Sequence, residues 1–106
     1  MSAPLSEPYH ISCPRAEQDR IRSWMMQARS SGCGDEFRAA VNQVVQHLRT
    51  DPVQWGDPLY RHEQLGLLCC RGLNPALYVY YAIDEARRIV YIQQFLLRPG
   101  HSLEDT

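Results

Sequence analysis

Residues 77–92 decide the fold, and they read Leu-Tyr-Val-Tyr-Tyr-Ala-Ile-Asp-Glu-Ala-Arg-Arg-Ile-Val-Tyr-Ile. Residues 77–83 are rich in the aromatic and branched side chains that strands prefer. A short polar connection follows at residues 84–87, and residues 88–97 are again apolar and branched or aromatic. The pattern therefore predicts a β-hairpin in the second half of the chain, with residues 84–87 as its turn.

Two amphipathic helices are predicted upstream of this hairpin. The first begins near Pro14, which suits the first turn of a helix, and its apolar stripe consists of Ile21, Trp24, Met25 and Ala28. The second keeps helical spacing over three turns, with Phe37, Ala40, Val41, Val44, Val45 and Leu48. Residues 31–34 separate the helices, and Pro52 disfavours helix at the residue before it. This short connection implies an antiparallel helical hairpin.

Two further strands complete the prediction. Alternating side chains favour a half-buried strand at residues 8–13, and residues 65–71 form an apolar strand that ends in a turn at 72–75. Residues 54–59 are assigned to a loop. The expected fold class is α+β in the order β-α-α-β-β-β, with the N-terminal strand and the helical hairpin on a small, mostly antiparallel sheet. We expect one domain at residues 8–98 and flexible tails at 1–7 and 99–106.

Length and composition limit the class of protein to which the chain can belong. The chain has 106 residues, which suits one domain. It has no apolar run of about 18 residues for a membrane span, and residues 1–8 do not resemble a signal peptide. We therefore expect a cytoplasmic protein that does not enter a membrane. Its four cysteines form no C-x-x-C pair, so neither a structural zinc nor any other cofactor is expected.

The charge pattern consists of eleven basic residues, all arginine, and a formal net charge of −1. Without the acids of the expected tails (Glu7, Glu104 and Asp105), the body holds nine acids and eleven arginines. This weak basic bias is smaller than the excess typical of nucleic-acid-binding domains. The arginines of the second half are Arg61, Arg71, Arg87, Arg88 and Arg98.

The order of elements resembles the RelE/ParE superfamily of bacterial toxins, which includes plasmid-stabilisation toxins of toxin–antitoxin systems. Residues 9–16 resemble its opening strand, which runs into a helix. Residues 48–52, with Gly56 and Leu59, resemble the loop after its second helix. Residues 80–85 resemble its Y-x-[VI]-[DE] hairpin, and residues 89–92 resemble its closing strand. The resemblance covers about residues 8–98.

The resemblance implies candidate residues for two activities. Some family members cleave messenger RNA on the ribosome without a metal, through a groove lined with basic residues and often a tyrosine or histidine. Others bind a protein target such as DNA gyrase. Candidates for a rebuilt nuclease site are Arg98, near the position of the family's C-terminal catalytic arginine, together with Arg71, Arg61, Tyr81 and, as a general base, His62.

Three hypotheses follow for the function. Leu77 stands where nuclease members often carry an arginine, and the strand before it is apolar rather than basic, which favours a toxin that binds a protein target such as gyrase. The second hypothesis is a ribosome-dependent mRNA endonuclease with the rebuilt site. The third is a non-toxic protein-interaction module of the same shape.

All three hypotheses include a protein partner. Both faces of the predicted strands carry apolar side chains, and large exposed apolar patches are rare on monomers. We expect an antitoxin segment, either a helix or an added strand, to cover the sheet where the helical hairpin does not. Self-association into a homo-oligomer is the competing cover. The candidate partner-binding residues are Leu65, Leu67, Leu77 and Val79.

Overall fold

The structure, a computed structural model, describes residues 7–98. Five strands form one sheet in the order β1-β5-β4-β3-β2. The elements, in chain order, are β1 (His10–Ser12), α1 (Arg15–Ser30), α2 (Gly34–Thr50), α3 (Pro52–Trp55), β2 (Asp57–His62), β3 (Leu67–Leu73), β4 (Leu77–Asp84) and β5 (Ile89–Leu97). The expected tails lie outside the described residues, apart from Glu7.

The fold class expected from the sequence is confirmed. β1 pairs with β5 in parallel, and the other strand pairs are antiparallel, so the sheet is mostly antiparallel. The predicted hairpin is formed by β4 and β5, with Leu77 opposite Leu97 and Asp84 opposite Ile89. At its turn, a carboxylate oxygen of Asp84 accepts a hydrogen bond of 3.0 Å from the Arg87 backbone N–H. Arg88 then takes a positive φ of 56°.

The assignment of residues 54–59 to a loop is wrong, because they contain parts of α3 and β2. β2 is an edge strand whose residues are all exposed, so it lacks the burial alternation that identifies a half-buried strand. Pro58 lies within it, and proline is tolerated in a sheet mainly on an edge strand. The strand expected at residues 65–71 is present as β3, which begins at Leu67 and ends at Leu73.

The core lies between the helical hairpin and one face of the sheet. On β4, Leu77, Val79, Tyr81 and Ile83 alternate with residues of the other face and are fully buried. The hairpin packs against them with Ala28, Phe37, Val44 and Leu48. Leu77 and Val79 were expected to bind a partner, but both are 0% exposed. They are core residues, because they lie on the face that the helices cover.

A buried carboxylate joins α1 to β5. Glu17 is only 7% exposed, and its Oε1 accepts a hydrogen bond of 2.8 Å from the Phe95 backbone N–H. β1 pairs with β5 only at residues 89–91, so the Phe95 N–H lies beyond the part of β5 that β1 covers. The Arg20 guanidinium approaches the same carboxylate at 3.4 Å. Glu17 therefore satisfies a backbone donor on the edge of β5 that β1 does not reach.

No helix within residues 7–98 is long and apolar enough to cross a membrane.

Replacing Glu17 tests this link. Glu17→Leu leaves the Phe95 N–H without its acceptor, so we expect the free energy of unfolding to fall by about 1–3 kcal/mol. Glu17→Gln keeps an acceptor oxygen and should cost less. Urea unfolding followed by circular dichroism measures both changes. Asp19→Asn, at an exposed position on the same helix, is the control, and equal stability of the Leu and Asn variants would contradict the assigned role.

Candidate functional site

The sheet has an open face, opposite the helical hairpin, that is rich in tyrosine. Strand alternation and register place its side chains in cross-strand rows. One row runs from Tyr60 through Cys69 and Ala82 to Tyr91. The next row joins Arg71, Tyr80 and Gln94, and a third joins Leu73, Tyr78 and Leu96. We use "open face" for these residues.

Arg71 lies near the centre of the open face. Its Cα is paired with those of Tyr80 on β4 and Asp57 on β2. The Arg71 Nε is buried and has no hydrogen-bond partner among residues 7–98. Buried donors in native proteins almost always have partners, so an unpartnered one at the surface of a sheet calls for an explanation. The Arg71 side chain lies beside the half-buried ring of Tyr80.

Arg98 lies at the edge of the open face, directly after β5. Its guanidinium is 5.8 Å from the ring centroid of Tyr78, and Nη1 donates a hydrogen bond of 3.1 Å to the Asn74 carbonyl oxygen. The Asn74 side chain in turn donates to the Ala40 carbonyl oxygen at 2.9 Å. Arg98 therefore extends the open face and also secures the turn between β3 and β4.

Tyr81 points to the opposite face of the sheet. It is fully buried, and its hydroxyl donates a hydrogen bond of 2.6 Å to the Pro52 carbonyl oxygen. Its ring stacks on Trp55 at 6.1 Å between centroids, and Trp55 stacks on His47 at 4.8 Å. Burial raises the pKa of the Tyr81 hydroxyl. Tyr81 was expected in a catalytic groove, but its side chain lies on the helix-covered side of the sheet, and the sheet separates it from any substrate on the open face.

Arg61 and His62 are neighbours on β2, so their side chains point to opposite faces of the strand. Arg61 forms an ion pair of 3.6 Å with Glu85, beyond the end of β4. His62 is exposed and lies opposite Leu67 of β3. The structure therefore places Arg71, Arg98 and His62 on or beside the open-face side of the sheet, at separate positions. Tyr81 and Arg61 point to the other side.

The remaining predicted partner residues lie near the edge strand. Leu65, in the turn between β2 and β3, is 62% exposed, and Leu67 is half-buried. Cys70, on the helix-covered face, has its pKa raised by burial to about 11. Within residues 7–98, no group of three or more histidine, cysteine or acidic residues is arranged to hold a metal ion.

The open face itself was only partly visible in the sequence. The tyrosines of β4 and β5 stand out by their number, and alternation separates Tyr78 and Tyr80 from Tyr81. Tyr60 could not be assigned to this face from the sequence, because no strand was predicted at the position of β2. The unpartnered Nε of Arg71 depends on burial, which the sequence does not provide.

No protein-family model matches this sequence, and no curated protein matches it. Among solved structures, a chain of the toxin–antitoxin complex RelBE2 from Mycobacterium tuberculosis is similar in fold. The alignment covers 91% of this chain and 98% of that chain, with a TM-score of 0.60 and 18% sequence identity. The two chains share a fold. The RelE-like architecture expected from the sequence is thereby confirmed.

The buried hydroxyl of Tyr81 allows a test by pH. Its raised pKa makes ionisation easier in the unfolded chain, so the stability that it contributes is complete below pH 10 and declines above it. Tyr81→Phe removes the hydrogen bond to Pro52 and should lower the free energy of unfolding by about 0.5–1.5 kcal/mol at neutral pH.

Urea unfolding of both proteins across the alkaline range measures the effect. The advantage of the native chain over Tyr81→Phe should shrink as pH rises above 10, the ordinary tyrosine pKa, by up to about 1.4 kcal/mol per pH unit. A difference that stays constant through this range would contradict the burial of the hydroxyl.

Proposed function

We propose that the protein is the toxin of a bacterial toxin–antitoxin pair and acts by binding a protein target, such as DNA gyrase, through the open face. The shared fold with a chain of the RelBE2 toxin–antitoxin complex supports the toxin–antitoxin setting. The proposed place of action is the bacterial cytoplasm.

The positions of the candidate nuclease residues favour binding to a protein target over cleavage of RNA. Metal-free RNA cleavage needs a base for the ribose hydroxyl and cations at the same phosphate. The Tyr81 hydroxyl is engaged with Pro52 beneath the sheet, and Arg61 points to the side of β2 opposite that of Tyr60. The five residues therefore do not converge on one reacting group.

The chemistry of the open face suits a protein target. Tyrosine and arginine are enriched among the residues that contribute most to protein–protein binding. Tyr78, Tyr80 and Tyr91 are half-buried, so their rings are already held in place by their neighbours and lose little freedom on binding. Arg71, whose guanidinium is always charged, lies opposite Tyr80 in the same row.

An antitoxin that covers the open face or the exposed edge of β2 would neutralise the protein by competing with the target. β2 offers unpaired backbone groups along one side, and an added strand satisfies them. Leu65 and Leu67, beside this edge, would then contact the antitoxin.

Induction of the chain in a bacterial host tests the proposal. Binding to gyrase should produce filamentous cells and DNA-damage signalling while messenger RNA stays intact. Arrest of translation with cleaved messages would instead indicate a nuclease, and normal growth would indicate a non-toxic interaction module.

Substitution on the open face connects the phenotype to the surface. Tyr80→Ala should weaken target binding by about 30-fold, if the ring contributes the roughly 2 kcal/mol typical of a central interface aromatic. Growth inhibition should fall accordingly. Arg87→Ala, at the exposed β4–β5 turn, is the matched control. Equal toxicity of both variants, with unchanged circular dichroism, would remove the open face from the mechanism.

Cleavage of messenger RNA by a RelE-like nuclease is the second candidate function. It is favoured by Arg71 and Arg98 near Tyr80 and Tyr78, because aromatic rings stack bases and arginine binds phosphate. If this function holds, Arg98→Ala should abolish cleavage in a translation extract. Message cleavage sites mapped by primer extension provide the measurement, and an unchanged cutting pattern would exclude Arg98 from the site.

A further inference from the structure

A second surface lies on the other side of the molecule, where an apolar groove runs between α1 and α2. Ile21 and Met25 line it from α1, and Val41 and Val45 line it from α2. The buried side chains of Ile92 and Phe95 on β5 form its floor. Its volume is about 500 Å3. The groove is separated from the open face by the thickness of the sheet.

The shape of the groove indicates the kind of occupant. Its α1 wall extends from Gln18 to Arg29, which corresponds to about 16 Å at the helical rise of 1.5 Å per residue. Met26, on the same wall, is 64% exposed. An apolar channel of this length between two helices fits about three turns of a third helix, and the flexible methionines adapt to the side chains that it presents.

The charged side chains that line the groove are of one sign. The charged residues of its lining are Arg22, Arg29 and Arg49, and no carboxylate of residues 7–98 lines it. Arg22 is already paired with Asp19 at 2.8 Å. Arg29 and Arg49 form no ion pair with any described residue. Arg29 lies at the far end of α1 from Gln18, whereas Arg49 is in the last turn of α2, so the antiparallel hairpin separates the two cations along the groove.

We infer that this groove binds an acidic amphipathic helix of a partner protein. The apolar face of the helix lies against the half-buried apolar side chains of the α1 and α2 walls, and its carboxylates reach Arg29 and Arg49 at the two ends. A single small anion could satisfy only one of these separated cations. A second copy of this chain is a poorer match, since its own exposed hairpin surface would bring the same arginines to the contact. This inference does not depend on whether the protein is a toxin.

The test uses the purified full chain and a designed, fluorescein-labelled helical peptide of about 15 residues. The peptide carries leucines along one face and glutamates on both flanks of that face. Fluorescence anisotropy should report saturable binding that weakens as salt is added, because exposed ion pairs are screened. The matched peptide with lysine in place of glutamate should bind at least about tenfold more weakly.

Protein variants localise the contact. Arg29→Gln/Arg49→Gln removes both charges without placing an acid at the C-terminal end of a helix, and it should weaken binding about three- to tenfold. Arg87→Gln, at the β4–β5 turn and outside the lining of the groove, should bind as the native chain does. Carbon-13 methyl spectra should show shifts for Met25 and Met26 on addition of the acidic peptide.

Each alternative outcome overturns the inference. Equal binding of the glutamate and lysine peptides would show that the groove selects apolar surface without regard to charge. Absence of binding at millimolar peptide would show that it takes no such helix. A dimer in light scattering that the peptide does not dissociate, with methionine shifts that depend on protein concentration, would show that a second copy fills the groove. None of these results bears on the open face, which the induction experiment tests separately.

Discussion

The hydrogen bond from the Tyr81 hydroxyl to the Pro52 carbonyl oxygen connects the two halves of the molecule. It fixes the start of α3 against the central strand β4, and Trp55 at the end of α3 stacks on the same ring. Glycine is required on both sides of this contact. A Cβ on Gly56 would lie 2.1 Å from the Tyr81 hydroxyl oxygen, and one on Gly72 would lie 2.2 Å from the Trp55 ring. The chain can enter β2 beside β3 because these positions carry no side chain.

Whether an element could be predicted from the sequence depended on whether one of its faces is buried. The β4–β5 hairpin and both helices can be predicted from the sequence, because each has one covered face and therefore a periodic apolar pattern. β2 has no covered face and contains a proline, so its pattern resembles that of a loop. Leu77 and Val79 were placed on a partner surface because alternation separates two faces without saying which one the helices cover. The link from Glu17 to Phe95 joins residues distant in sequence and leaves no local signal.

The two proposed binding surfaces both combine apolar or aromatic side chains with arginine, but they arrange the arginines differently. On the open face, aromatic rings dominate and Arg71 lies among them. In the groove, aliphatic side chains and methionine form the floor and walls, and arginines lie at the margins. Every basic side chain is arginine, which stays charged at any physiological pH. Neither surface can therefore lose its positive charge in the way that one built on histidine would.

The parallel pairing of β1 with β5 has a consequence for synthesis. β1 precedes the other strands along the chain, yet its partner strand is the last element of the sheet. Pairings between distant segments form late, since the intervening chain must be ordered first. Until translation has passed Leu97, β1 has no strand to join, the groove has no floor and the open face lacks Tyr91. A chain that ends before β5 therefore carries neither proposed binding surface in complete form.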